Sequence, residues 1–212
     1  MVSGDLVVGV PNVEKQIRTV AQNARIHLAA KTQAITLTPI VTEGFILDLG
    51  GGGEGMIGRL NGRQVIAVDN KNEELRETNN ESVQLVMDAR ALAFPQSSFA
   101  TVTSFFTLMY LKDHDVPTVF REVFRVLKAG GRLLIWDARI PRRVGDEPGF
   151  GVVVTVSLPD AKITTGYGIR WAEKAQDLHR VKTLASQAGF RVITDWVADE
   201  VFFLELLAEK HH

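Results

Sequence analysis

A glycine-rich segment between an apolar run and a predicted helix has the spacing of a nucleotide-binding turn. Residues 45–49 are apolar except for Asp48, glycines fill positions 50–53, and a helix is predicted over 54–60. Glycine has no β-carbon, so the backbone can turn sharply and approach a ligand closely. The N-terminus of the next helix offers free N–H groups and a positive dipole end. The segment predicts a cradle for a nucleotide cofactor and leaves the nucleotide open.

Two aspartates at the ends of predicted strands could supply the acceptors that a nucleotide needs. Asp69 follows the strand 64–68, about 20 residues after the glycines, where a carboxylate can accept both ribose hydroxyls. Its alternative role is that of an exposed residue at a strand end. Asp88 follows the strand 83–87 and could accept the exocyclic amine of adenine, while the Ala89 amide donates to the ring. The alternative is that Asp88 only caps a turn over 89–92.

The elements that must position these residues alternate between apolar runs and helical patterns, which predicts an α/β fold with a mainly parallel sheet. The predicted strands are 45–49, 64–68, 83–87, 100–105, 131–136, 191–198 and 201–208. The predicted helices are 13–31, 54–60, 72–79, 116–127 and 172–188. The last two strands are separated by two residues and should form an antiparallel hairpin. A further hairpin is predicted from 150–157 and 163–169.

Composition restricts the classes of function. The chain has 212 residues, a net charge of −1 and 45% hydrophobic residues, as expected of a soluble, cytoplasmic globular protein. It has no cysteine, which excludes disulfides, thiolate metal sites and a cysteine nucleophile. We predict no bound metal, no signal peptide and no membrane span. His211 and His212 resemble the beginning of a purification tag.

Six motifs between residues 45 and 137 occur in a familiar order. They are Asp48-Leu49-Gly50-Gly51-Gly52, Asp69, Asp88-Ala89, Ala93-Phe94-Pro95-Gln96-Ser97-Ser98-Phe99, Ser104-Phe105-Phe106 and Val126-Leu127-Lys128-Ala129-Gly130-Gly131-Arg132-Leu133. In this order they resemble the class I S-adenosylmethionine-dependent methyltransferases. The resemblance implies a Rossmann-like, seven-stranded, mainly parallel sheet with an antiparallel last strand and helices on both faces.

The resemblance also implies which residues bind S-adenosylmethionine. The glycine loop would approach the methionine portion of the cofactor. The end of the second strand would bind the ribose, and the end of the third strand would bind the adenine. The end of the fourth strand would lie along the cofactor near the transferable methyl group. The residues concerned are Asp48, Gly50, Gly51, Gly52, Glu54, Asp69, Asn70, Asp88, Ala89, Ser104 and Phe105. Two positions depart from the family pattern. Glu54 replaces an expected glycine: either the loop carries one extra residue, or Glu54 meets the cofactor's ammonium group, or it is solvated at the start of the helix. Ala100 replaces a frequent acidic residue.

The same loop also fits the dinucleotide-binding pattern Gly-x-Gly-x-x-Gly, through Gly50, Gly52 and Gly55. An NAD-dependent oxidoreductase is therefore an alternative. Short-chain dehydrogenases would also need Tyr-x-x-x-Lys, but Tyr110 and Tyr167 are followed at that offset by histidine and tryptophan. The position of Asp88 and the closing hairpin also favour the methyltransferase interpretation.

The acceptor side is less well defined. Methyl transfer depends on positioning, and a general base is needed only if the acceptor must lose a proton. Asp137 follows the fifth strand and is the first candidate. Tyr110 is the second, with packing under the next helix as its alternative. His27, on the predicted N-terminal helix, is the third, with a position on the helix face without chemistry as its alternative. Four aromatic residues could form either an apolar pocket or core: Trp136, Phe150, Tyr167 and Trp171.

The expected substrate is a small molecule. The net charge gives no basic field for nucleic acid, and no Asn/Asp-Pro-Pro-aromatic segment follows the fourth strand. The arginines 139, 142 and 143 could bind an anionic substrate, although a solvated surface is favoured. The alternative function is a non-catalytic cofactor-binding module. The oligomeric state stays open, and a homodimer is one alternative.

A single domain is predicted, organised in five parts. Residues 1–40 would form N-terminal cap helices, 41–138 the cofactor-binding core and 139–171 an inserted hairpin that contributes to the substrate region. Residues 172–210 would form the last helix and closing hairpin, and 211–212 the tag.

Overall fold

The computed structural model describes residues 13–143, 145–171 and 174–210. Within these ranges the chain forms five α-helices and eleven strands arranged in two sheets. The helices are α1 (Val13–Asn23), α2 (Met56–Asn61), α3 (Asn72–Glu77), α4 (Val116–Val126) and α5 (Leu178–Gln187). The strands are β1 (Ile26–Leu28), β2 (Gln33–Thr36), β3 (Ile46–Leu49), β4 (Val65–Asp69), β5 (Val83–Val86), β6 (Phe99–Phe105), β7 (Leu127–Ala138), β8 (Gly149–Ser157), β9 (Lys162–Arg170), β10 (Phe190–Ala198) and β11 (Val201–Ala208).

The larger sheet has seven strands in the order β10-β11-β7-β6-β3-β4-β5. Strands β3 to β7 are parallel, and β11 pairs antiparallel with both β7 and β10. The predicted mainly parallel sheet with an antiparallel last strand is therefore confirmed. Strand β3 lies centrally between β4 and β6, so the carboxyl ends of all three strands meet at one edge. This edge is where open α/β sheets bind ligands.

The smaller sheet is built around the inserted hairpin. Strands β8 and β9 pair antiparallel, as predicted, while β1 and β2 both pair parallel with the other side of β8. The N-terminal segment is thus partly strand, and the prediction of one helix over 13–31 is wrong. Helix α1 ends at Asn23, and Arg25 takes a positive φ of 55° before Ile26 pairs with Gly149. Pairing with a strand more than 100 residues away could not be inferred from the local periodicity.

Two apolar clusters hold the layers together. One lies between the two sheets and includes α2, and the other lies under α4 and α5 on the opposite face of the larger sheet. Helix α4 buries one apolar face, which includes Val119, Val123 and Val126. Helices therefore cover both faces, as predicted. No helix in the described ranges is long and apolar enough to cross a membrane.

The helix predicted over 172–188 is shorter in the structure. Helix α5 begins only at Leu178. Asp177 caps its N-terminus, because the Asp177 side chain accepts a 2.7 Å hydrogen bond from the Arg180 backbone N–H. Just before this cap, Gln176 forms an isolated β-bridge with Ile140, which is incompatible with helix. The first predicted residues of that helix, 172–173, and the predicted tag, 211–212, lie outside the described residues.

Asp137, predicted as the first catalytic candidate, lies in the protein interior, and its hydrogen bonds there are structural. The residue is fully buried. Its carboxylate accepts hydrogen bonds of 2.8 Å each from the backbone N–H groups of Leu108 and Ala138 and from the Gln176 side chain. Burial raises its pKa to about 6, although these donors and the nearby Lys174 oppose the shift. Asp137 therefore joins three segments of chain.

The interface between the sheets should be sensitive to the loss of a large side chain. Phe150 on β8 is 1% exposed, so Phe150→Ala should lower the free energy of unfolding by about 3–5 kcal/mol through lost burial and a cavity. Phe45→Ala is the matched control, because Phe45 is 54% exposed, and its effect should stay within about 0.5 kcal/mol. Urea denaturation of both variants measures the difference, and equal losses would contradict the burial of Phe150.

The raised pKa of Asp137 predicts a pH dependence of stability. Between about 4 and about 6 the folded protein holds a proton that the unfolded chain has lost, so this group makes stability fall as pH rises through that window, by at most about 1.4 kcal/mol per pH unit. Asp137→Asn should lower stability overall, because an amide nitrogen cannot accept, and should flatten this slope. The exposed Asp160→Asn is the control. An unchanged slope in Asp137→Asn, measured by urea denaturation across pH, would refute the assignment.

Candidate functional site

A cavity of about 630 Å³ lies at the edge where β3, β4 and β6 end. Its floor is the glycine loop between β3 and α2, and its sides come from the segments after β4, β5 and β6. Residues 166–168 of β9 form the opposite wall, so the inserted hairpin covers the loop. The volume is in the range typical of small-molecule sites.

The glycine loop is packed too closely to accept side chains. A β-carbon on Gly51 would lie 2.6 Å from Asp48 Oδ2 and 2.8 Å from Ala67 Cβ, and one on Gly52 would lie 2.7 Å from Glu74 Cβ. Gly50 has a positive φ of 66°, which an L-residue adopts with strain. The N–H groups of Gly50 and Gly51 both donate to the Val68 carbonyl, which fixes the loop on β4. These contacts explain the predicted need for glycine.

Asp48 lies beneath this loop and is 2% exposed. Burial raises its pKa to about 7, partly opposed by the Thr103 hydroxyl, which donates to the carboxylate at 2.7 Å, while the charge of Asp69 adds to the increase. Asp48 lines the cavity and is poised to become charged near neutral pH.

Asp69 ends β4 within the cavity, with Asn70 beside it. Its carboxylate accepts from the backbone N–H of Lys71 at 2.9 Å and from that of Gly52. Partial burial and the neighbouring Glu74 raise the pKa of Asp69 despite these donors. The side chain is thus held against the glycine loop, where a ribose was predicted.

Asp88 and Ala89 also line the cavity, after β5. Asp88 accepts from the backbone N–H of Arg90 at 2.8 Å and from its guanidinium at 2.6 Å, and this ion pair lowers the pKa of the carboxyl group. Arg90 also pairs with Asp115. Both sequence interpretations find support here, because Asp88 organises a local turn and still borders the cavity.

Glu54 connects the glycine loop to the hairpin. Its carboxylate accepts a short hydrogen bond from the Thr165 hydroxyl of β9, and its side chain borders the cavity. The residue lies outside α2, which begins at Met56 after Gly55, whose φ is 56°. Glu54 is therefore not a solvated helix-start residue, since it fixes β9 over the loop.

Aromatic side chains also line the cavity. Tyr167 stacks on Phe106 with ring centroids 4.3 Å apart, and Phe105 packs edge-on against both rings. Tyr110 is 54% exposed, and its hydroxyl accepts from the Gly168 backbone N–H at 3.3 Å. Its pKa is raised to about 12 by desolvation and nearby carboxylates, and the pKa of Tyr167 is raised well above its ordinary value, mainly by burial. Both phenols stay protonated near neutral pH.

The cavity is strongly acidic. Five carboxyl groups and one ammonium group line it: Asp48, Glu54, Asp69, Glu74, Asp88 and Lys71. Such a site favours a ligand that carries positive charge and hydroxyl or amine donors. A cationic sulfonium cofactor with an amino acid tail and a ribose fits this lining together with the close backbone approach at the glycines. Within the described residues, no group of three or more potential metal ligands occurs.

Two predicted site residues lie elsewhere. Ser104 is 1% exposed, lies outside the cavity lining, and its hydroxyl has no hydrogen-bond partner among the described residues. His27 lies on β1 rather than on a helix, with its ring 5.2 Å from that of Trp171 and 6.2 Å from that of Phe150. It packs on the aromatic core away from the cavity. The helical placement of His27 is wrong, because α1 ends at Asn23. The lining of the cavity gives no support to a site role for either residue, and both roles stay predictions.

Several cavity residues were not predicted from sequence, among them Thr107, Glu74 and Gly168. The Thr107 hydroxyl donates to the Leu49 carbonyl at 2.7 Å beside Gly50, and the Glu74 carbonyl accepts from Gly53 at 2.8 Å. Gly168 presents its N–H to Tyr110. None of these residue types is distinctive in sequence. Tyr167 was one of four aromatic candidates, and the other three are buried in the core.

Comparisons with known proteins agree with this geometry. Residues 47–135 match the model of a family described as a methyltransferase domain. A curated relative from Pseudoalteromonas translucida, a ubiquinone/menaquinone biosynthesis C-methyltransferase, is 27% identical over 194 residues, covering 80% of this chain and 75% of the relative.

Solved structures share the fold. A SAM-dependent methyltransferase from Methanosarcina mazei aligns with a TM-score of 0.59 at 18% identity, over 84% of this chain and 100% of its own. A methyltransferase from Mesorhizobium loti aligns with a TM-score of 0.57 at 16% identity, over 79% and 93%. The motif order, the acidic glycine-floored cavity and the domain match over residues 47–135 together support a class I S-adenosylmethionine-dependent methyltransferase.

Proposed function

We propose that the protein methylates a small-molecule acceptor. The observation that supports this best is the position of β9, which covers the glycine loop and leaves a partly enclosed volume of about 630 Å³. A volume of this size suits a cofactor and a small substrate better than a polymer. We further infer that the chain works as one soluble cytoplasmic unit, without nucleic acid as substrate.

The cofactor would be held by residues from four segments. The backbone at Gly51 and Gly52 allows close approach, Asp69 with Asn70 would accept from the ribose hydroxyls, and Asp88 with Ala89 would contact the adenine. Phe105 would lie along the cofactor, and Glu54 would keep its Thr165 contact or exchange it for the ammonium group. When bound, S-adenosylmethionine supplies an activated methyl group.

The residues of this chain would contribute orientation and exclusion of water more than proton transfer. Asp137 and His27 are outside the cavity, and the phenols of Tyr110 and Tyr167 hold their protons too firmly to act as bases near neutral pH. Tyr110 and Tyr167 instead present flat apolar faces and hydroxyl donors to an acceptor. Positioning the nucleophile in a dry pocket can supply much of the rate enhancement.

The ribose role of Asp69 predicts a loss of cofactor binding. Asp69→Ala should weaken S-adenosylhomocysteine binding by about tenfold to a hundredfold, since hydrogen bonds to a charged group contribute about 1.5–3 kcal/mol. The thermal shift that this ligand produces should fall accordingly. Asp160→Ala, which removes an exposed aspartate outside the cavity, should leave the shift intact. An unchanged shift in Asp69→Ala would contradict the ribose role.

Transfer of a labelled methyl group from S-adenosylmethionine to a panel of small acceptors tests the catalytic proposal. Labelled product with at least one acceptor is the expected result. Tight cofactor binding without turnover across a broad panel would favour the alternative, a non-catalytic cofactor-binding module. Thermal stabilisation by NAD alone would favour the oxidoreductase alternative.

A further inference from the structure

A second cavity of about 570 Å³ adjoins the acidic cavity and has the opposite polarity. The two share Tyr110, Leu111 and Gly168, so Tyr110 stands at their junction. Basic side chains from three segments line the second cavity: Lys112, Arg170 and Lys174. We call it the basic cavity.

Within the part of the chain that the structure describes, the positive charge of the basic cavity is only partly neutralised. Asp113, the acidic residue among its described lining residues, accepts a 2.8 Å hydrogen bond from the Arg180 guanidinium, which balances that carboxylate. Within residues 13–143, 145–171 and 174–210, the side chains of Lys112 and Arg170 form no ion pair or hydrogen bond. Two cations therefore face the cavity without a counter-ion from the described chain.

Lys174 has a different role from the other two cations. Its ammonium group donates to the carbonyl of Leu108 at 2.6 Å and to that of Leu111. These bonds tie the segment before α5 to the short 3-10 helix Leu108–Tyr110, which carries Tyr110. One of its three donors remains for a ligand. Lys174 thereby fixes the junction between the two cavities.

We propose that the methyl acceptor is a small organic anion, with a carboxylate or phosphate bound by Lys112 and Arg170 in the basic cavity. Guanidinium and ammonium groups bind both anions through charge-assisted hydrogen bonds. The apolar part of the acceptor would pack on Met109, Ile169 and the Tyr110 ring, and its nucleophile would reach past Tyr110 towards the acidic cavity. This inference rests on the proposed small-molecule methyltransferase function and specifies its substrate class.

The opposite charges of the two cavities would orient such an acceptor. An anionic group is repelled by the carboxyl groups around the glycine loop and attracted by the two basic residues beyond Tyr110. Only one end of the molecule can then enter the acidic cavity. Charge would thus select the reacting end before any specific contact is made.

Calorimetric titration with three probes tests the proposal, using protein saturated with S-adenosylhomocysteine. Benzoate and phenyl phosphate carry the two candidate anions, and phenol is the uncharged comparison. At least one anion should bind, more weakly at high salt because screening reduces the attraction, and phenol should bind far less. The better of the two anions identifies the group that the acceptor carries. Equal binding of phenol, or no binding of either anion, would overturn the proposal.

Charge-reversal variants locate the anion. The double variant Lys112→Glu/Arg170→Glu should weaken anion binding at least about tenfold, or about 1.4 kcal/mol. If this variant does not fold, the neutral double variant Lys112→Gln/Arg170→Gln replaces it and should also weaken anion binding. Lys128→Glu is the matched control, because Lys128 is exposed near the start of β7 and does not line the basic cavity. Unchanged anion binding in both double variants would refute the site.

S-adenosylhomocysteine binding separates the two proposals. It should be retained in the double variants, because Lys112 and Arg170 lie outside the acidic cavity. If the unmodified protein bound anions but not S-adenosylhomocysteine, the methyltransferase function and the acceptor role would both fail, although an anion site would remain. If it bound S-adenosylhomocysteine but no anion, only the acceptor class would fail.

Discussion

The site depends on the close packing of the glycine loop against β3 and β4 at the carboxyl end of β3. There is no space for a β-carbon at Gly51, because Asp48 and Ala67 already occupy it, and the Val68 carbonyl binds the loop through two N–H groups. This packing fixes the loop on β4 and places the carboxylates of Asp48 and Asp69 close enough for the charge of Asp69 to raise the pKa of Asp48. A side chain at Gly51 would displace the glycine loop that forms the floor of the cavity.

That floor would be open to solvent without the inserted hairpin. Strand β9 is held over it by the Glu54–Thr165 hydrogen bond, by the stacking of Tyr167 on Phe106 and by the Tyr110–Gly168 contact. The smaller sheet, which includes the N-terminal strands, anchors the hairpin through the apolar layer between the sheets. The stability of that layer and the enclosure of the site are therefore physically connected.

Buried carboxyl groups in this protein have different tasks. Asp137 and Asp48 both have raised pKa values because burial disfavours their charged forms. Asp137 is surrounded by three N–H donors and joins β7, the 3-10 helix and the segment before α5. Asp48 has one hydroxyl donor and borders the cavity. The strand-end position alone could not separate these roles, since both residues look alike in sequence.

The sequence by itself determined the order of the central strands and helices, the glycine loop and the positions of Asp48, Asp69 and Asp88. These features depend on local periodicity and on glycine's missing side chain, both of which can be read over a few residues. The tertiary structure decided the role of β9, the burial of Asp137, the strand that carries His27 and the opposite charges of the two cavities. The Glu54–Thr165 contact spans 111 residues of chain. Contacts of this kind arise from packing between distant segments, for which a single sequence carries no local signal.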